Sequence, residues 1–153
     1  MRVAVYRNFD KVAERLLSLG ADPNLVLKNT CSPLGTAIIN TNESIIRLLL
    51  KHEADTRNPV CWSSNQRQIP IDQSIIQHDL SNDVRIEIMQ RHVQQGSGLS
   101  PSILVFAIVN DNYAIAKAFV NLMPSYRNKT FIALAKPRSN KIYNLLTESW
   151  NDI

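Results

Sequence analysis

Apolar residues recur along this chain in paired pulses that are separated by polar hinges. In one segment, PLGTAII at 33–39 is followed by the hinge NTNE at 40–43 and then by SIIRLLL at 44–50. In the second pulse, Ile45 and Leu49 lie four positions apart, which is the spacing of one buried helical face. The pattern predicts a helix, a short hinge and a second helix that turns back beside the first.

This helix–hinge–helix pattern repeats at a fixed spacing. VAERLLSLGAD at 12–22 superposes without a gap on IIRLLLKHEAD at 45–55, a shift of 33 residues. Self-similarity at such a period predicts a repeat array, in which each unit buries its apolar face only against its neighbours. Arrays of this kind present a long surface to a partner, so recognition is the first function to consider.

The repeat carries a recognisable signature. SPLGTA at 32–37 resembles the T-P-L-H-x-A opening of an ankyrin repeat, with glycine in place of histidine, and LLSLGADPN at 16–24 is similar to the L-L-x-x-G-A-D-x-N ending. The resemblance implies an all-α solenoid of stacked antiparallel helix pairs with protruding loop fingers. We expect about four to five repeats, of which the C-terminal ones are divergent.

The repeats divide the chain into one predicted domain, 1–153. Its expected parts are a partial N-terminal repeat at 1–24, the best-formed repeat at 25–58, a repeat with an extended finger at 59–96, a divergent repeat at 97–124 and a divergent C-terminal cap at 125–153. The last three units lack the G-A-D signature, so the alternative is a divergent α-helical tail after two repeats. GSG at 96–98 is expected to form a flexible finger.

The first repeat starts within a helix, because Met1 aligns with Leu34. This start indicates either a modified amino-terminal cap or a piece of a longer array. A terminal repeat is expected to have a polar outer face. Four basic residues would provide it: Arg2, Arg7, Lys11 and Arg15.

Composition places the chain among ordinary folded proteins, with 44% hydrophobic and 20% charged residues. The longest apolar run, at 103–109, is much shorter than the ~20 residues of a membrane span. No signal segment precedes the first repeat, so we expect a cytoplasmic or nuclear protein, or one in a host cytosol if it is a secreted effector. Cys31 and Cys61 lack a C-x-x-C spacing and are expected to be small buried side chains.

Catalytic chemistry is not indicated by any motif. The chain has four glycines, and no phosphate-binding loop can be written with them. The histidines at 52, 78 and 92 are scattered, without a second ligand at metal-binding spacing. We therefore predict no catalytic residue, no metal, no cofactor and no enzymatic activity.

Recognition remains, and the resemblance places it on the loop fingers and the first helices. Arginine and tryptophan are over-represented among interface hot spots. The extended finger, Thr56 to Gln68, contributes Arg57, Trp62 and Arg67. Two rows of aligned positions along the first helices contribute further candidates. One row is Thr36, Gln73 and Phe106, and the other is Asn40, Gln77 and Asn110. The last candidate, Tyr113, lies at a hinge. We expect a monomer that binds a protein or peptide partner through these residues, as adaptors, inhibitors and pathogen or viral effectors of this family do.

Charge leaves a second hypothesis open. The formal net charge is +4, and one stretch near the carboxyl terminus carries basic residues without an acidic one between them: Arg127, Lys129, Lys136, Arg138 and Lys141. This patch would bind nucleic acid or an acidic partner, with affinity that falls steeply as salt rises. A third hypothesis is that the array positions a catalytic domain of a longer chain.

Overall fold

A computed structural model describes residues 1–26, 30–61 and 68–148. These residues form five helix pairs, a small β-hairpin and a 3-10 turn at Pro124–Tyr126. The elements are α1 Arg2–Tyr6, α2 Asp10–Ser18, α3 Pro33–Ile39, α4 Glu43–Lys51, β1 Val60–Cys61, β2 Gln68–Ile69, α5 Ile71–Ser74, α6 Asn82–Gln94, α7 Ser102–Val109, α8 Tyr113–Leu122, α9 Lys129–Ala135 and α10 Asn140–Thr147. The predicted succession of short paired helices is confirmed.

The helix pairs belong to two compact units, Met1–Ser97 and Gly98–Ile153. In the first unit α1 packs on α3, α2 packs on α4, and α4 packs on α6. In the second unit α7 packs on α9, and α8 packs on α10. Equivalent helices of successive pairs therefore stack within each unit, as repeat architecture requires.

The buried faces are the ones that the apolar period predicts. Ile45 and Leu49 of α4 are both 0% exposed. In the second unit Phe119, which aligns with Leu49 at a shift of 70 residues, is also 0% exposed. Its ring meets Tyr126 edge to face, with 5.4 Å between the ring centroids.

The hinges of the first, second and fourth pairs share one backbone conformation. Asn8, Thr41 and Asp111 have φ values of 56°, 52° and 49°, in the left-handed region. In the second and fourth pairs the next residue, Asn42 or Asn112, accepts a hydrogen bond from the backbone N–H three positions on, at 3.0 and 3.2 Å. This capping closes the hinge, and it makes the hinge at residues 110–112 structurally equivalent to the hinge at residues 40–42.

The second helices of the first unit also share one backbone conformation, a residue with positive φ, just after their ends. Gly20, Glu53 and Gly96 have φ values of 85°, 62° and 83°. After Gly96, the Ser97 N–H donates to the His92 carbonyl at 3.1 Å, which closes the end of α6. Gly96 therefore terminates α6, which is a role that the sequence analysis did not assign to it.

The finger of the third repeat is anchored by β1 and β2, which pair antiparallel with Val60 opposite Ile69. β1 approaches α3 closely at Gly35. A Cβ atom at Gly35 would lie 3.3 Å from the Val60 Cα and 3.2 Å from the Ser32 Oγ. The departure from the histidine of the family signature therefore makes room for the finger.

The outer face of the first helix pair differs from expectation. All four predicted basic residues are exposed. Val3 and Phe9 are exposed as well, at 70% and 53%. The prediction of a polar outer face is wrong, since this face is substantially apolar.

Candidate protein-recognition site

Arg57 is held at the base of the finger by the carboxylate two residues before it. Its Nε donates to Asp55 Oδ1 at 2.8 Å and its Nη2 donates to Asp55 Oδ2 at 2.9 Å. The backbone N–H of Arg57 donates to the same carboxylate at 2.9 Å. The Arg57 side chain is nevertheless 62% exposed, so an oriented guanidinium faces solvent.

The loop that carries this pair, residues 54–57, is fastened to α6. Thr56 is 0% exposed. Its hydroxyl donates to Gln95 Oε1 at 2.7 Å and lies 2.9 Å from His92 Nδ1. Gln95 also accepts from the Thr56 N–H at 2.9 Å and donates to the Ala54 carbonyl at 3.1 Å. The Gln95 side chain therefore holds both the Thr56 N–H and the Ala54 carbonyl of this loop.

The preceding repeat holds loop 54–57 from the other side. Asn24 Oδ1 accepts from the Asp55 N–H at 2.7 Å, and Asn24 Nδ2 donates to the Glu53 carbonyl at 3.4 Å. Asn24 is the last residue of the G-A-D-x-N ending, so this signature residue positions the next finger. Loop 54–57 is consequently clamped by two repeats.

The Arg57 cation affects the acid–base behaviour of its partner. Hydrogen bonding and charge from Arg57 hold the pKa of Asp55 below its ordinary value. Asp55 therefore stays ionised through the neutral range, and the pair stays formed. Two other finger residues that the sequence predicted, Trp62 and Arg67, lie outside the described residues.

In α3, the two predicted contact residues already have structural partners. Thr36 is half-buried, and its hydroxyl donates to the Ser32 carbonyl at 3.0 Å. Asn40 Nδ2 donates to the carbonyls of Val5 and Tyr6, both at 3.3 Å. Asn40 therefore caps the end of α1, which is a stabilising role that the sequence analysis did not assign to it.

In α5 and after it, the predicted residues have more freedom. Gln73 is half-buried and Gln77 is exposed. Within residues 1–26, 30–61 and 68–148 the structure shows no hydrogen bond from either side-chain amide. Both side chains keep donors and acceptors for a ligand.

Three predicted residues belong to the second unit. Phe106 of α7 is half-buried, and Asn110, after the end of α7, donates to its carbonyl at 2.8 Å. Tyr113 begins α8 and is 37% exposed. These residues form one end of the α7–α8 pair.

The predicted basic patch is divided along α9. Lys129 begins α9, whereas Lys136, Arg138 and Lys141 follow at the turn into α10. A helix of 7 residues is about 10 Å long, so the two groups lie at opposite ends of it. All four of these residues are exposed, while Arg127 is half-buried.

Sequence reasoning missed the residues that clamp loop 54–57. His92 and Gln95 are polar residues in the last turn of α6 and just beyond it, and neither has a counterpart in the 33-residue signature. A usable signal was the threonine that follows the A-D ending, since a buried hydroxyl needs partners. A mixed-charge groove between α2 and α4, with Asp10, Glu14, Arg47 and Lys51 among its lining residues, was also missed.

The cysteines are neighbours across the finger base. Both are half-buried thiols, and Cys31 Sγ lies 3.7 Å from the Cys61 carbonyl oxygen. Burial, with hydrogen bonding to Cys61, raises the pKa of the Cys31 thiol to about 12. An unreactive, protonated thiol results.

Residues 1–26, 30–61 and 68–148 contain no group of three or more histidine, cysteine or acidic side chains arranged to hold a metal ion. No helix in the same ranges is both long and apolar enough to cross a bilayer.

Comparison with known families agrees with the fold. The family model for ankyrin repeats matches residues 1–87 as three copies. The chain belongs to the ankyrin-repeat family, and the predicted all-α ankyrin-type solenoid is confirmed. Ankyrin repeats generally mediate protein–protein interaction and are typically non-catalytic scaffolds. No curated protein matches the chain.

Proposed function

We propose that this chain is a non-catalytic scaffold that binds a protein or peptide in the cytoplasm or nucleus. The binding surface that we propose consists of loop 54–57, the finger that continues from it along the chain, and the polar residues of α3 and α5. The observation that carries the proposal is the exposed Arg57 guanidinium, which Asp55 holds at 2.8 and 2.9 Å.

Arg57 has capacity left for a partner. Guanidinium groups carry five N–H donors in a planar fork. Nε and one Nη2 hydrogen engage Asp55, which leaves the outer edge of the fork for a carboxylate or carbonyl oxygen of the ligand. Arginine is among the residues that most often dominate interface energetics.

The clamp on loop 54–57 favours tight binding. Ordering a flexible side chain on binding costs about 0.5–1.5 kcal/mol. Much of that cost falls away for Arg57, because Asp55 fixes its side chain, and Asn24 and Gln95 hold the backbone N–H groups of the two residues before it. A partner therefore meets a pre-organised contact.

The first helices offer hydrogen bonds beside this anchor. Gln73 and Gln77 carry amides that can pair with the backbone of an extended or helical segment. Asn40 contributes less than the aligned position suggested, because it caps α1. The ligand we propose places an acidic or carbonyl group on Arg57 and its polar backbone along α5.

The test compares two exposed, ion-paired arginines. Arg57→Ala removes the anchor, whereas Arg47→Ala removes a guanidinium on α4 that pairs with Glu87 at 2.8 Å. Each full-length variant is immobilised and exposed to cytosolic extract at low and high salt, with and without nuclease. We expect a protein retained at high salt after nuclease treatment, its recovery reduced at least about tenfold by Arg57→Ala and unchanged by Arg47→Ala.

Equal recovery by both variants would contradict the proposed site. The basic residues of α9 and α10 give the competing outcome. Recovery of nucleic acid alone, lost as salt rises, would transfer the function to Lys136, Arg138 and Lys141.

A further inference from the structure

One end of the first unit exposes a concentration of large apolar side chains. A shallow groove there is lined by residues of α1 and α2 and of the loop after them, including Val3, Phe9, Val12, Leu16 and Leu25. Val3 is 70% exposed, Val12 is 49% exposed and Leu25 is 58% exposed. Surfaces of this kind in folded proteins mark interaction sites more often than chance.

The repeat register identifies what this face is. Val12 and Leu16 align with Ile45 and Leu49 at the 33-residue spacing, and Met1 aligns with Leu34. In the second repeat those positions are covered, since Leu34 is 1% exposed and Ile45 and Leu49 are 0% exposed. The exposed face is therefore the same stacking face, one repeat earlier.

The helices that pack on the stacking face of the second repeat indicate which partner fits the exposed face of the first. α3 packs on α1, and α4 packs on α2. The buried residues of α1 and α2 are Ala4, Val5, Ala13 and Leu17, so the covering surface combines two small residues with two aliphatic ones. Close helix packing depends on this match of large side chains to small ones.

We propose that the outer face of α1 and α2 docks one further ankyrin-type helix pair supplied from outside these 153 residues. The interface continues the stacking already present between the first and second pairs. It uses a different surface from loop 54–57 and does not depend on the proposed function.

A second copy of this chain fits the face less well. Two copies placed face to face would set Val12 and Leu16 of one copy against bulky side chains of the other, among them Val3 and Phe9. In a head-to-tail arrangement the last pair would have to supply the apolar surface, and the described residues of α9 and α10 include no exposed large hydrophobic side chain.

The test adds a repeat in register to the full chain. Because residue 33 precedes Leu34, the equivalent of Met1, a copy of residues 1–33 placed directly before Met1 continues the period. Amide hydrogen exchange and urea unfolding are compared for the original and the extended chain. We expect exchange in α1 and α2 to slow at least about tenfold and the urea midpoint to rise, as added nearest-neighbour stacking predicts.

Two matched substitutions assign the effect to the face. Val12→Glu, made in the original first repeat of the extended chain, should abolish the protection because it places a charge between stacked pairs. Val109→Glu makes the same change at a valine that is 59% exposed on α7, and it should leave the protection intact.

Two outcomes would overturn the proposal. Unaltered exchange in α1 and α2 of the extended chain would show that the face does not accept a helix pair. A concentration-dependent dimer of the original chain in sedimentation, lost in Val12→Glu and kept in Val109→Glu, would make a second copy the occupant instead.

Discussion

Thr56 shows how a single buried hydroxyl connects a loop to a helix almost forty positions away. Its oxygen lies between Gln95 Oε1, at 2.7 Å, and His92 Nδ1, at 2.9 Å. Buried polar groups that lose a partner cost more than the hydrogen bond contributed, because the remaining group stays out of water. Loop 54–57 therefore depends on its contact with the end of α6.

Thr56→Val tests this dependence with little change in side-chain volume. We expect the free energy of unfolding to fall by about 1–3 kcal/mol, because His92 Nδ1 loses its partner in the interior. Urea unfolding followed by circular dichroism measures the change. Thr36→Val is the control, since that hydroxyl bonds only to the carbonyl of Ser32 on its own helix. Equal losses in the two variants would show that the contact with α6 is unimportant.

The Asp55–Arg57 pair predicts a pH dependence of stability. The folded-state pKa of Asp55 lies below its ordinary value of 3.8. The pair therefore contributes stability that is present above that value and is lost as pH falls through the lowered pKa. Wild type should be more stable than Asp55→Asn at neutral pH, and the difference should shrink in acid below the ordinary pKa.

Arg57→Ala is the partner experiment, because without the cation the carboxylate loses the main cause of its shift. In that background Asp55→Asn should show little pH-dependent difference in urea unfolding. A difference of undiminished size would mean that some other group stabilises the Asp55 carboxylate.

At the scale of elements, the ends of the second helices are built alike from different residues. Gly20 and Glu53 occupy aligned positions, and both have positive φ. Glycine adopts this conformation freely, whereas a side chain costs about 1 kcal/mol there. Glu53 therefore carries strain that Gly20 avoids.

Glu53→Gly should raise the free energy of unfolding by about 0.5–1 kcal/mol, because the strain outweighs the added entropy of the unfolded chain. Glu14→Gly is the matched control within α2, where glycine should lower stability by about 1 kcal/mol. Thermal or urea unfolding of both variants decides the matter. A change in the free energy of unfolding that has the same sign in both variants would contradict a strained helix end.

The 33-residue period predicted α1 to α4 well, because the same residues recur at the same positions of each pair. It does not predict the length of α6, which has 13 residues against 9 in α4. The longer helix brings Gln95 to loop 54–57, and no local pattern reveals that reach. Asn40 was misjudged for a related reason. Its amide caps α1 only because the pairs stack, and the hinge sequence does not predict how the pairs stack.

At the scale of the molecule, stability of the first unit rests on the stacked faces. Leu49 is 0% exposed, in a helix that packs on both α2 and α6. A charge placed there has neither water nor a counterion, which is among the costliest single changes. Neighbouring repeats share this face, so damage to it spreads beyond one pair.

Leu49→Arg should abolish cooperative unfolding of α1 to α6, with a loss of at least about 4 kcal/mol. Leu48→Arg is the control one residue earlier. Leu48 is half-buried beside the groove that contains Asp10 and Glu14, so the new cation can reach solvent and acids. We expect a change within about 1 kcal/mol. Hydrogen exchange across α1 to α6 separates the two results, and protection of α4 in Leu49→Arg would refute the stacking assignment.

The caps between repeats impose an order on biosynthesis. Asn40 closes the end of α1 from 35 positions downstream, and Arg91 closes the end of α4 from 41 positions downstream, where it donates to the Leu50 carbonyl. Each of these helices is synthesised before the residue that caps it. At translation rates of about 5–20 residues per second, the wait is about 2–8 s. In a growing chain, the newest repeat is therefore always the least finished one.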